Sequence, residues 1–184
     1  MSKDIYVDFH SKGGDIKGDS RDTKHKDTVE VYSWSHLVKQ PKSASASTAG
    51  GHTSERCEHG EMIFTKDIDG ATPKLLQASS AGTIVNDVVV YFYRAHGGKN
   101  SVGGPGSTQT RHQYFKVELK NVIVASVQPT VSSEGIPQET FGLKYSAVRW
   151  TYDELNIAGD KAGKVNIQGA WDLAKNIPNF TTGV

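Results

Sequence analysis

Apolar and polar positions alternate with a period of two along much of the chain, the signature of half-buried antiparallel strands. Asp4 to Phe9 places Ile5, Val7 and Phe9 on one face, and Thr28 to Ser33 places Val29 and Val31 inward with Glu30 outward. Tyr114 to Leu119 sets Phe115, Val117 and Leu119 against Lys116 and Glu118. Two runs are more continuously apolar, Asp87 to Tyr93 and Asn121 to Ala125, which predicts strands covered on both faces. In Leu143 to Tyr152 the inward phase slips by one residue, from Leu143, Tyr145 and Ala147 to Val148, Trp150 and Tyr152. Such a slip predicts a bulge or a strand buried on both sides.

One helix is signalled, over Thr72 to Gly82. Thr72 suits the N-cap, Pro73 the first turn, where its missing N–H costs nothing, and Gly82 the left-handed position that ends the helix. Leu75, Leu76 and Ser79 are expected to face the sheet. Two segments break the pattern: Lys39 to Glu55 and Gly97 to Thr110 are small and polar without an apolar anchor, and the second separates two strands as a long hairpin loop does. Many strands with one helix predict a mainly β fold, a barrel or a sandwich carrying one short helix, in one domain over residues 1–184.

Charge and composition narrow the function classes. The chain of 184 residues carries 21 Lys+Arg against 20 Asp+Glu, a formal +1, so it lacks the basic excess with which proteins neutralise phosphates and no nucleic-acid partner is expected. No stretch approaches the roughly 20 apolar residues of a spanning helix, and the amino terminus has no apolar signal core, so no stable membrane insertion and no cleaved leader are expected. Cys57 is the one cysteine, which excludes an intrachain disulfide.

Candidate chemistry is sparse. His52, Cys57 and His59 lie within eight residues and offer three zinc ligands, but on a flexible loop and without C-x-x-C spacing, so a polar loop beside a thiol is the simpler reading. Cys57 and His59, two apart on a strand, would share a face, yet no oxyanion hole or orienting acid accompanies them. No nucleophile-elbow or phosphate-loop spacing occurs. The remaining histidines, His10, His25, His36, His96 and His112, are expected on the surface or in turns. Tyr91, Phe92, Tyr93, Tyr114 and Phe115 read as core packing, and Trp150 and Trp171 as filling the barrel or a subunit seam. No catalytic residue, metal or cofactor is expected.

Several segments in fixed order resemble the Hcp family, the tube proteins of type VI secretion. They are the opening strand to Phe9, Asp15-Ile-Lys-Gly-Asp-Ser20, His25-Lys-Asp27, Val29-Glu-Val-Tyr-Ser-Trp-Ser35, Phe64-Thr-Lys-Asp-Ile-Asp69 leading into Thr72-Pro-Lys-Leu-Leu76, Leu119 to Val127, Leu143 to Tyr152, and Gly169 to Asn176. The likeness runs from about residue 4 to about 178 and departs mainly in the two polar loops and around Cys57. It implies a small β-barrel of two packed sheets with one short flanking α-helix, and homohexameric rings that stack into a tube within a contractile sheath. A VgrG-like spike caps the tube, and effectors travel in its channel. It also implies assembly in the bacterial cytoplasm and export without a cleaved signal. By position in the motif, Trp34 and Ser35 are expected to face the lumen. Pro41, Lys42, Ser43, Ser45, Ser47, Thr48, Gly50 and Gly51 stand where the family carries a loop that touches the next ring. The rival reading is a monomeric β-barrel that binds a small ligand inside. An effector enzyme fused to the same fold would need a further domain, for which Thr181 to Val184 leave no room.

Overall fold

A computed structural model of the chain describes residues 3–9, 15–41, 56–96, 110–133, 135–155 and 163–180. The elements are β1 (Lys3–Asp8), β2 (Val29–Val31), β3 (Ser33–Ser35), β4 (Val38–Lys39), β5 (Glu58–His59), β6 (Met62–Asp67), α1 (Thr72–Ala81), β7 (Ile84–His96), β8 (Thr110–Thr130), β9 (Gln138–Lys144), β10 (Ala147–Tyr152) and β11 (Ile167–Asp172). The mainly β fold with one short helix is what the alternation predicts, and the barrel is the form the resemblance implies.

Closure comes from a strand that changes partners. β2 pairs with β1, then β3 pairs with β6, and at the break between them the Tyr32 N–H donates to Thr65 O at 2.8 Å. From there the ladder runs β6 to β9, β8, β7 and back to β1, all antiparallel. β10 adds to the free side of β8, and β11 adds to β10. β4 and β5 form a separate two-stranded sheet. Closing a sheet on itself removes the unpaired edges that would otherwise invite aggregation.

The phase slip in 143–152 has a definite origin. β8, 21 residues long, meets β10 over Phe115 to Lys120 and β9 from Ile123 onward, on the same side. At this corner Asn121 takes φ 48° and the Ser146 N–H donates to Lys120 O at 2.9 Å. Both strands change inward phase together, β8 from Val117 and Leu119 to Val122 and Val124, and its neighbour from Leu143 to Val148. The bend turns one sheet into two facing halves. The run 121–125 is therefore not covered on both sides as its composition suggests: Ile123 is 38% exposed while Val122 and Val124 are buried.

Inside, Val7, Phe9, Val29, Met62, Phe64, Val88, Val90, Val117, Leu119, Phe141 and Leu143 form one continuous apolar core, with Phe64 and Phe141 stacked at 5.0 Å. Interior side chains fill a barrel of this size rather than leave a channel through it.

The helix begins one residue differently from expectation. Ala71 is the N-cap and makes no side-chain cap bond, while Thr72 lies in the first turn and is buried. Its Oγ1 accepts from the Asp69 N–H at 3.2 Å, and Asp69 Oδ1 accepts from the Ala71 N–H at 2.9 Å, so the aspartate supplies the turn. Leu75 and Ala78 face the barrel with Thr72, whereas Leu76 is 39% exposed, a rotation of the expected face. Gly82 ends the helix at φ 62° as its position predicts.

The outer face of β1 is also covered. Residues 15–28 cross it as a strap, which crosses itself so closely that a Cβ on Gly18 would stand 2.4 Å from Thr28 O. Its His25 stacks on Tyr6 at 4.7 Å and shares a 2.6 Å hydrogen bond between Nε2 and Tyr93 Oη. Arg111 pins the middle of the strap to β1, donating to Asp4 at 2.7 Å, to Tyr6 Oη at 2.8 Å and to Asp22. His25 opens a turn, its carbonyl accepting from the Thr28 N–H at 3.3 Å, but it is buried rather than on the surface. Burial holds its pKa below the ordinary value, against the pull of Asp22 and Asp8.

Candidate functional site

The β3–β6–β9–β8 half of the barrel presents a face of small, mostly uncharged side chains. Register alone produces it. Ser33, Thr65, Thr140 and Gln128 lie opposite one another in one row across four strands, and Ser35, Ile63, Gly142 and Ser126 lie in the next. Side chains paired across an antiparallel ladder share a face, so the rows stand together on the outside, while Trp34, Phe64 and Phe141 alternate inward. Gly142 keeps the second row flat: a Cβ there would stand 2.4 Å from Glu61 Oε2 and 2.5 Å from Ser126 Oγ.

Trp34 and Ser35 therefore occupy opposite sides of β3. Ser35 is exposed in the second row. Trp34 is half-buried and packs edge-on against Phe92 at 5.1 Å and near Phe115 at 6.1 Å, its Nε1 enclosed without a hydrogen-bond partner among the described residues. Pro41, half-buried, closes the β4 end of the hairpin. Lys42, Ser43, Ser45, Ser47, Thr48, Gly50 and Gly51 lie outside the described residues, as does His52 of the zinc reading. Among the described residues no three His, Cys, Asp or Glu side chains stand together as a metal site.

Two polar clusters beside this face were not foreseen. Under the helix, Lys66 is fully buried. Its ammonium lies 2.5 Å from Asp69 Oδ1 and 2.6 Å from Glu139 Oε1, and donates to Asp67 O at 2.9 Å and Thr72 Oγ1 at 3.2 Å. Glu139 is equally buried, and neither of its oxygens accepts a well-directed hydrogen bond among the described residues. A charge is tolerated in such a place only when paired and hydrogen-bonded.

At the β4–β5 hairpin, Tyr145 Oη sits between two imidazoles, 2.7 Å from His36 Nε2 and 2.8 Å from His59 Nδ1. His36 is half-buried, contrary to its expected place on the surface or in a turn. Its pKa is lowered to about 4, first by burial and then by His59. Burial lowers His59 as well, and burial with the Cys57 thiol raises the Tyr145 hydroxyl. Beside this cluster is an open groove of about 460 Å³, lined by Trp150, Trp171, His59, Cys57, Arg56 and Val38 among others. Trp150 and Trp171 are half-buried and pack against the core, opposite Val117 and Val148 in the ladder.

Comparison with known proteins follows this geometry. A family model described as the type VI secretion system effector Hcp matches residues 6–152. The chain is 30% identical over 172 residues to protein hcp1 of Pseudomonas aeruginosa, covering 93% of this chain and 98% of that one. It is 24% identical over 162 residues to the major exported protein of the same species, covering 84% and 86%. Among solved structures, one described as a type six secretion system protein superposes with a TM-score of 0.76 at 22% identity, covering 95% of this chain and 98% of that chain. Hcp1 from Salmonella typhimurium superposes at 0.67 with 24% identity, covering 96% and 98%. The two solved structures share the fold, and the family match together with the near full-length relative shows that the chain belongs to the Hcp family of type VI secretion proteins.

Proposed function

We propose that the chain, as one Hcp-like domain over residues 1–184, is the structural subunit of a type VI secretion tube. It forms homohexameric rings that stack, and it acts as a structural element rather than as an enzyme. Family membership along most of the chain is the observation that carries this reading. A ring needs a head-to-tail interface whose rotation closes, and the near-neutral charge lets identical rings approach without strong repulsion. The Ser33–Ser35 face, small and rich in hydroxyls, suits a lumen that passes varied effectors without gripping one of them. Ser35 is the residue of the expected lumen pair that reaches it. Pro41 to Gly51 serve as the contact to the next ring, with a VgrG-like spike and a contractile sheath as further partners. Assembly in the bacterial cytoplasm followed by export without a cleaved signal fits a family whose relative is named a major exported protein.

The packed barrel interior argues against a monomer that holds a small ligand inside, because Phe9, Phe64, Phe141, Met62 and Leu143 occupy that space. Light scattering after size-exclusion chromatography tests the proposal. A mass of about six times 20.0 kDa with annular particles in negative stain is expected, and a monomer at high concentration would overturn the ring. Deletion of residues 42–52 should keep the ring and weaken stacking and secretion.

A further inference from the structure

We propose that the His36–Tyr145–His59 bridge is an acid-released latch that fastens the β4–β5 hairpin to the barrel. The hairpin has its own backbone bonds, Val38 opposite His59, Lys39 opposite Glu58, and the Gly60 N–H donating to Leu37 O at 2.8 Å. The two strands continue β3 and β6, whose pairing ends at Ser35 opposite Ile63, and the small sheet has no described ladder to any other strand. Side chains fasten it to the β9–β10 corner, through the phenol of Tyr145 and the rings of His36 and His59, which also lie 6.5 Å and 6.1 Å from Trp150.

Proton counting makes the latch conditional. A phenol has one proton to donate and lone pairs to accept. With both imidazoles neutral, Tyr145 donates to one ring nitrogen and accepts an N–H from the other. One added proton fits: His59, the ring that lines the open groove, becomes imidazolium, donates through Nδ1 and leaves Tyr145 donating to His36 Nε2. A second proton does not fit. Both rings then point N–H at one oxygen, the hydroxyl proton loses its acceptor, and two cations face each other with centroids 5.7 Å apart. The other groups against the rings are Trp34 from β3 and Trp150 from β10, with Cys57 beside Tyr145 and Arg56 lining the same groove as His59, both just before β5. No described carboxylate pairs with either ring to hold the added charge. Burial disfavours both imidazolium forms, so opening the hairpin gains protons as pH falls from about 6.5 toward 4.

Amide hydrogen exchange on the full chain, corrected for the intrinsic pH dependence, tests the latch whether or not the chain forms rings. The Gly60 amide and its hairpin neighbours should open at least about tenfold more often at pH 4.5 than at pH 7, since each proton taken up contributes up to tenfold per pH unit. Amides at the centre of β7 and β8 should not change. Tyr145→Phe should expose the hairpin at pH 7 already, with little further rise on acidification. The double variant His36→Gln with His59→Gln should exchange at one rate across the range. Equal pH response in hairpin and core amides, or a response that survives in the Gln double variant, overturns the proposal. So does ordinary titration of both imidazoles, read from their NMR shifts in the unmodified chain.

Discussion

Lys66 and Tyr145 both stand at the rim of the barrel core, each ringed by polar partners, and the two clusters are made of opposite materials. Around Lys66 the partners are carboxylates and the bonds are charge-assisted, with Glu139 and Lys66 both shut away from water. Around Tyr145 the partners are neutral imidazoles, and burial works to keep them neutral. The charged cluster ties the turn before α1 to β6 and β9, two central strands of the barrel. The neutral one holds the short hairpin that continues β3 and β6 against the β9–β10 corner. Charges paired in a dry place are costly to separate, which suits a permanent joint. Neutral imidazoles in a half-wet place take up protons as pH falls toward 4, which suits a joint that opens.

The contrast can be broken most forcefully at Glu139. Glu139→Ala leaves the buried Lys66 ammonium with Asp69 as its remaining carboxylate and should cost up to about 3–5 kcal/mol in urea denaturation at pH 7, whereas Lys66→Met with Glu139→Leu should restore most of it. A small effect from the single change would mean that Lys66 reaches water. Leu75→Ala tests the apolar share of the same joint, with an expected loss of about 2–4 kcal/mol, because Leu75 is fully buried under the helix. Tyr145→Phe leaves two imidazole nitrogens without their shared hydroxyl and should cost about 1–2 kcal/mol, confined to the hairpin.

Acid has a smaller effect, and its sign is fixed by the lowered histidine. His36 binds its proton less readily folded than unfolded, so its contribution is complete above about pH 6.5 and is lost as pH falls toward 4. Discounted for a half-exposed ring, the loss is about 1–2 kcal/mol. The wild type should weaken relative to His36→Gln as denaturation is moved from pH 7 to pH 5. Smallest of all is Gly142→Ala on the flat face, below about 1 kcal/mol, since the added methyl meets the movable ends of Glu61 and Ser126.

Local sequence made the strands legible. β1, β2 and the middle of β8 announce themselves by alternation and β7 by its apolar run, and Pro73 and Gly82 bracket the helix because their backbone restrictions act without neighbours. The rotated helix face shows the limit. Leu75 and Leu76 are adjacent and equally apolar, so only docking selects Leu75 for the interior. Lys66 carried a usable signal, since it continues the inward phase of Met62 and Phe64, and Glu139 continues that of Phe141 and Leu143. His36 carried none. Its partner is 109 residues away in the chain, and His59 and Tyr145 are separated by 86.

By itself the sequence determined the mainly β class, the capped helix and the family resemblance, since these rest on period, backbone preference and ordered motifs that each segment carries. Tertiary structure decided which polar groups are buried, where the barrel closes, and which face of β3 meets the outside. Burial and register are properties of strands brought together from distant parts of the chain, and a side chain's neighbours exist only once those strands have paired.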